Sequence, residues 1–174
     1  MHDRRVLRFL VVMAVCYAVW FVVYDLWLLP DGRLDAWLST RVAALTGGLL
    51  NGFGLDAQVA GREVWLDGRG IQLIAECNGL SVLSLFVGFV LAFPGRWSQR
   101  AWFVPLGLVV IQAVNVVRCA VLLLLLGRSQ AAFDMGHGSG GLLIFYGVVF
   151  VLWVVWSRIG GSEPLVAPAP ALAS

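Results

Sequence analysis

The sequence predicts an all-α membrane protein of about four transmembrane helices, with both termini on the cytoplasmic side. An outer interfacial helix and a short β-hairpin are expected between spans 1 and 2. Three observations carry this. Of the 174 residues, 60% are hydrophobic and the mean hydropathy is +0.89, whereas soluble domains are roughly 45–50% apolar. Only 13% of residues are charged, and they cluster between long uncharged stretches, as expected where lipid replaces water. Four of those stretches are long enough to cross a hydrocarbon core about 30 Å thick, which takes roughly 17–25 helical residues.

The first span runs over about 7–29 and follows Arg4, Arg5 and Arg8. It is too long for the apolar part of a signal peptide and lacks a small-x-small cleavage site, so it is read as retained. The second, 77–93, is the shortest and places Cys77 at or just inside the membrane surface. The third covers 101–126 and the fourth 141–157. Arginines beside the spans set the orientation, because cytoplasmic flanks keep positive charge during insertion. The N-terminal arginines, Arg96 and Arg100 in the link after span 2, and Arg158 all fall on one side. The segment 30–76 and the loop before span 4 therefore face outward.

Within that outer segment, Leu34, Leu38, Val42, Leu45 and Leu49 recur at helical spacing beside Trp37, with Ser39, Thr40 and Thr46 elsewhere. The pattern reads as an amphipathic helix lying on the membrane. Val64-Trp65-Leu66 and Ile71-Gln72-Leu73 then flank Asp67-Gly68-Arg69-Gly70, a turn with the glycines a hairpin needs. Residues 1–159 are read as one membrane-embedded catalytic domain. The Pro- and Ala-rich stretch 160–174 is read as a disordered cytoplasmic tail. The net charge of +2 gives no indication of nucleic-acid binding. Cys16, Cys77 and Cys119 form neither a CxxC nor a Cys/His metal pattern, so no metal or cofactor is expected.

Arg118 is the costliest residue in the sequence. It lies inside the third span among valines, alanine and leucines, where an Arg opposes insertion by about 2.5–3.5 kcal/mol on translocon-derived scales. Counting along the helix places it in the outer third of the bilayer, about two turns below the helix's outer end. Asn115 and Gln112 precede it at three-residue intervals, which makes a polar stripe. A snorkelling Arg, or one neutralised by Asp25, is the alternative reading. Cys77 sits in Glu76-Cys77-Asn78-Gly79 at the outer end of span 2, where a helix N-terminus favours thiolate. His137 lies in a glycine-rich loop just before span 4, on the same outer side. Cys16 and Cys119 read as packing.

Together these residues supply what acyl transfer from a peptide requires. Cys77 is the nucleophile that forms a thioester, His137 the acid/base that protonates the leaving amine, and Arg118 the positive charge for the oxyanion. An adjacent carboxylate such as Glu76 would raise the thiol pKa unless Arg118 or His137 offsets it. It would otherwise serve to orient one of them.

With Glu76-Cys77-Asn78-Gly79, Asn115-x-x-Arg118, and His137 followed by Gly141 in that order, the chain resembles the exosortase/archaeosortase family, in its compact, short-chain form. The shared motifs span about residues 60–145. Asn78 stands where the family more often has Ser or Thr. The resemblance implies a cysteine transpeptidase or protease with catalytic Cys77, Arg118 and His137, supported by Glu76, Asn78, Gly79 and Asn115. Its partners would be membrane lipid and exported proteins bearing a C-terminal tail of short motif, apolar helix and basic end. It would act at the outer, periplasmic face of a prokaryotic inner membrane. Two other readings compete: a membrane thiol oxidoreductase using Cys77 and Cys119, and a non-catalytic assembly subunit.

Overall fold

A computed structural model describes residues 2–160, with a few side chains left undescribed, Glu76 among them; the tail expected over 160–174 lies outside this range from residue 161. The chain is mostly helical and carries one small antiparallel sheet. Three helical stretches are long and apolar enough to cross a membrane: Val6–Asp31, Trp97–Arg128 and Gln130–Gly160. A shorter apolar helix spans Leu80–Ala92. This is a helical membrane protein.

The first helix, α1 (His2–Trp20), continues through a π-helical stretch, Phe21–Leu28, into the short α2 (Leu29–Asp31). Most of its side chains are exposed, as suits a helix bathed in lipid. It touches the bundle through Phe9, whose ring meets Phe89 and Phe93 edge-on at 5.8 and 6.4 Å. After Gly32 the chain turns into α3 (Arg33–Gly52), and then into strands β1 (Gln58–Ala60), β2 (Glu63–Leu66) and β3 (Arg69–Gln72).

The hairpin expected from the sequence forms, with two adjustments. Its turn is the pair Asp67-Gly68 and not the four residues Asp67–Gly70, since Leu66 pairs with Arg69. Asp67 and Gly68 have φ of 51° and 74°, the doubly positive geometry that suits the twist of a two-residue hairpin and that Asp-Gly tolerates. A third strand, β1, also pairs with β2. Asn51 holds β1 to the end of α3, donating to the Ala57 carbonyl at 3.1 Å and accepting from its N–H at 2.7 Å.

Helix α3 is present over the expected residues, but its packed face mixes part of the apolar stripe with polar and small residues. Asp35, Ser39, Val42, Ala43, Thr46, Gly47 and Leu50 are buried, whereas Trp37 and Leu45 are exposed. Small residues let α3 lie close against a neighbour. That neighbour is α5 (Trp97–Arg128), which follows α4 (Leu80–Ala92). Arg100 closes the α4–α5 link, donating to the carbonyls of Val90, Leu91 and Phe93 at 3.3, 3.4 and 3.0 Å. Those are carbonyls that a helix C-terminus leaves unpaired.

At 1.5 Å per residue, a 32-residue helix is about 48 Å long, well beyond a 30 Å core. Two separate cores explain this. The first part of α5 packs with α4 and α7 (Gly141–Gly160) around Phe86, Phe103, Ile111, Val149 and Trp156. The last part, from Val116 to Leu123, packs with α3 and the sheet around Val42, Leu50, Val64 and Leu73. So one face of the apolar run at the end of the expected third span, with Cys119, Ala120 and Leu123, is covered by a protein cap on the helical bundle, while Val121 and Leu124 stay exposed. Arg69 pins the cap by donating to the Gly127 carbonyl. Helix α6 (Gln130–Met135) then leads through a π-helical turn, Gly136–Gly140, kinked at Gly138, into α7.

Candidate functional site

The site forms where bundle and cap meet along α5. Strand β3 ends at Gln72, and Leu73 is driven into the cap core, 1% exposed, with its N–H on the Arg62 carbonyl at 2.8 Å. A single 3-10 turn, Ala75–Cys77, follows. The expected second span therefore becomes helical only at Leu80, and Cys77 lies in the turn before it. The Cys77 N–H donates to Ile74 at 2.9 Å.

Two carbonyls of this turn are held from α5. Asn115 donates to the Cys77 carbonyl at 2.8 Å, and Gln112 to the Asn78 carbonyl at 3.0 Å. These donors satisfy groups that would otherwise be buried unpaired. Gly79 makes the approach possible. Its φ is +79°, and a Cβ there would lie 3.3 Å from Asn115 Nδ2 and 3.5 Å from Gln112 Oε1. A left-handed L-residue costs roughly 1–2 kcal/mol, and crowding adds to this. Gly79→Ala is therefore expected to lower the thermal midpoint in detergent by roughly 2–8 °C, taking 2–4 °C per kcal/mol. An unchanged midpoint would show that the turn relaxes freely.

Asn78 is fully buried. Its Oδ1 accepts from the Leu80 N–H at 2.9 Å, one of the unpaired donors at the start of α4. Its Nδ2 donates to Asp35 Oδ1 at 2.6 Å, and Tyr24 donates its hydroxyl to the same oxygen at 2.8 Å. Sequence reasoning missed both Asp35 and Tyr24. The available signal was a carboxylate in line with Ser39 and Thr46 on the small-residue face of α3.

The half-buried Cys77 opens onto a cavity of about 320 Å³ lined by β3, the end of α5, and α6. His137 lines the same cavity, as do Gln130, Phe133 and Cys119. Its exposed ring stacks on Phe133 with centroids 5.5 Å apart and planes 9° from parallel. The fold thus brings Cys77 and His137 to one space.

Arg118 approaches from the other side of the turn. It lines a cavity of about 260 Å³ with Ala75, Gly79 and Ser81, and an apolar one of about 350 Å³ between α5 and α7. Its Nη1 donates to Asn115 Oδ1 at 3.4 Å, its Cζ lies 5.8 Å from the Phe145 ring, and its Nε is buried without a partner among the described residues. Asn115 thus links Arg118 to the carbonyl of Cys77. Among the described residues no carboxylate pairs with Arg118; Asp25 lines a separate cavity with Cys16, Tyr17 and Ser84. Asn115 bonds to Cys77 and Arg118 lies three residues, about 4.5 Å, further toward the cap. Cys119 is buried in the cap core, as its apolar setting suggested, and also borders the Cys77 cavity. The Glu76 side chain lies outside the described structure.

Comparison with known proteins gives one result. A family model described as transmembrane exosortase matches residues 3–154, most of the chain. No curated protein and no solved structure shows a significant match.

Proposed function

From the membership of this chain in the transmembrane exosortase family, we propose that it is a membrane-embedded cysteine peptidase or transpeptidase that removes the C-terminal sorting tail of exported proteins. The cavity shared by Cys77 and His137 is the observation that carries this reading. A thiol at the N-terminal end of an apolar helix, with an imidazole lining the same cavity, is the arrangement acyl transfer needs.

In this reading the Cys77 thiol passes its proton to His137 and its sulfur attacks the scissile carbonyl, whose carbon becomes tetrahedral with negative charge on its oxygen. Arg118 lines the cavities on the other side of the turn and not the one that Cys77 and His137 share. With its Nε unpartnered among the described residues and Nη1 making one long bond, it has donors for that charge where the substrate carbonyl reaches across the turn. Collapse breaks the C–N bond, and His137 gives its proton to the departing amine of the tail. The thioester left on Cys77 then passes its acyl group to water or to another amine. The acting face is the outer, periplasmic one of a prokaryotic inner membrane, since Arg96, Arg100 and Arg158 lie at the opposite end of the bundle from the cap. Co-expression with proteins bearing a motif, an apolar helix and a basic end tests the proposal. A size shift of the partner protein is expected with the wild-type enzyme, and its absence across such partners would exclude sorting-tail cleavage.

Because Cys119 borders the thiol cavity, thiol-disulfide chemistry between Cys77 and Cys119 is the second reading. Cys119→Ala separates the two. Its removal leaves a small void in the cap core, costing about 1 kcal/mol, and tail cleavage is expected to persist. Loss of cleavage in a folded Cys119→Ala protein would favour the redox reading.

A further inference from the structure

No step of the acyl transfer uses the carboxylate of Asp35. Yet it is 5% exposed, its Oδ1 accepts from both Tyr24 and Asn78, and its Oδ2 is buried with no partner among the described residues. Burying a carboxylate is costly, and neither an arginine nor a histidine pairs with it among the described residues. The compensation visible is the pair of bonds from Tyr24 and Asn78, the latter, at 2.6 Å, as short as charge-assisted bonds become.

We propose that Asp35 is a positioning residue for Cys77: its carboxylate fixes the amide of Asn78 and, through it, the turn that directs the Cys77 thiol into the cavity shared with His137. This rests on the reading of Cys77 as the nucleophile. The argument is one of donors and acceptors. An amide side chain can present either end to a neighbour, but an ionised carboxylate only accepts. Asp35 therefore holds the nitrogen of Asn78 and leaves its oxygen facing the Leu80 N–H, where it caps α4. Tyr24 ties the same carboxylate oxygen to the first span. The residue next to the thiol is thus held by α3 and, through Tyr24, by the first transmembrane helix. Gln112 and Asn115 hold only the backbone of the turn.

Purified full-length variants Asp35→Ala, Asn78→Asp and the exchange Asp35→Asn with Asn78→Asp test this. Asn78→Asp sets two acceptors face to face, whereas the exchange restores one donor and one acceptor with their places reversed. Each single variant is expected to lower kcat on a tail-bearing substrate about 100-fold, as a displacement of about 1 Å does, with KM unchanged. The exchange is expected to recover most of that loss. In parallel, alkylation of Cys77 by a membrane-impermeant maleimide, followed at that peptide by mass spectrometry, is expected to speed up in the single variants and return in the exchange. Unchanged kcat per folded molecule and unchanged alkylation in Asp35→Ala would overturn the proposal. A folded exchange variant that remains as slow as the singles would do so too. If a single variant does not fold, the exchange decides by the same criterion. If the wild type cleaves no such substrate, the nucleophile reading falls, and the alkylation rates alone decide for Asp35.

Discussion

Arg118→Ala is expected to lower tail cleavage about 10²–10³-fold, the usual loss when one oxyanion donor is removed. Insertion does not confound this result. An arginine in an apolar helix opposes insertion by about 2.5–3.5 kcal/mol, so alanine should leave the amount of membrane-inserted protein unchanged or higher. Activity and accumulation would then move in opposite directions, which a purely structural arginine would not produce. Arg118→Lys sharpens the point. Lysine keeps the charge but loses the planar set of donors that reaches Asn115 while leaving Nε free, so recovery should be partial at most. The measurement is cleavage per folded molecule, and full activity in Arg118→Ala would make the arginine a structural residue.

Cys77→Ala is expected to remove cleavage entirely, and Cys77→Ser to reduce it by about 10⁴-fold or more, as when a catalytic nucleophile is lost. The folded state should tolerate both. The turn is held by backbone groups, the Cys77 carbonyl by Asn115 and its N–H by Ile74, and these do not depend on the thiol. Thermal midpoints close to wild type, with no cleavage, are therefore expected from melting and turnover measured on the same preparations. Persistent cleavage in Cys77→Ala would end the nucleophile reading.

The parts of the fold that depend on local pattern were legible in the sequence. Four apolar stretches, the hairpin and the helix over 33–52 all declare themselves through composition and spacing over ten to twenty residues. The placement of Cys77 and His137 toward the same end followed from counting spans. Contacts between distant segments were not legible. The leucines after Arg118 look the same whether lipid or protein covers them, so hydropathy alone could not tell that Leu122 and Leu123 are buried while Leu124 is exposed. The packed face of α3 was obscured for a related reason, since Leu45 and Trp37 are apolar yet exposed. The local pattern marks Asp35 only as a carboxylate on the small-residue face of α3, because its partner Asn78 lies 43 residues away.

The most direct test is to look for the covalent intermediate. The protein would be mixed with a tail-bearing peptide, quenched in acid during turnover, digested, and analysed by mass spectrometry. The N-terminal product of cleavage is expected as an adduct on the peptide containing Cys77, labile to hydroxylamine as a thioester is, and absent from those containing Cys16 or Cys119. Cleavage that proceeds with Cys77 unmodified, or with the adduct on another residue, would contradict the account.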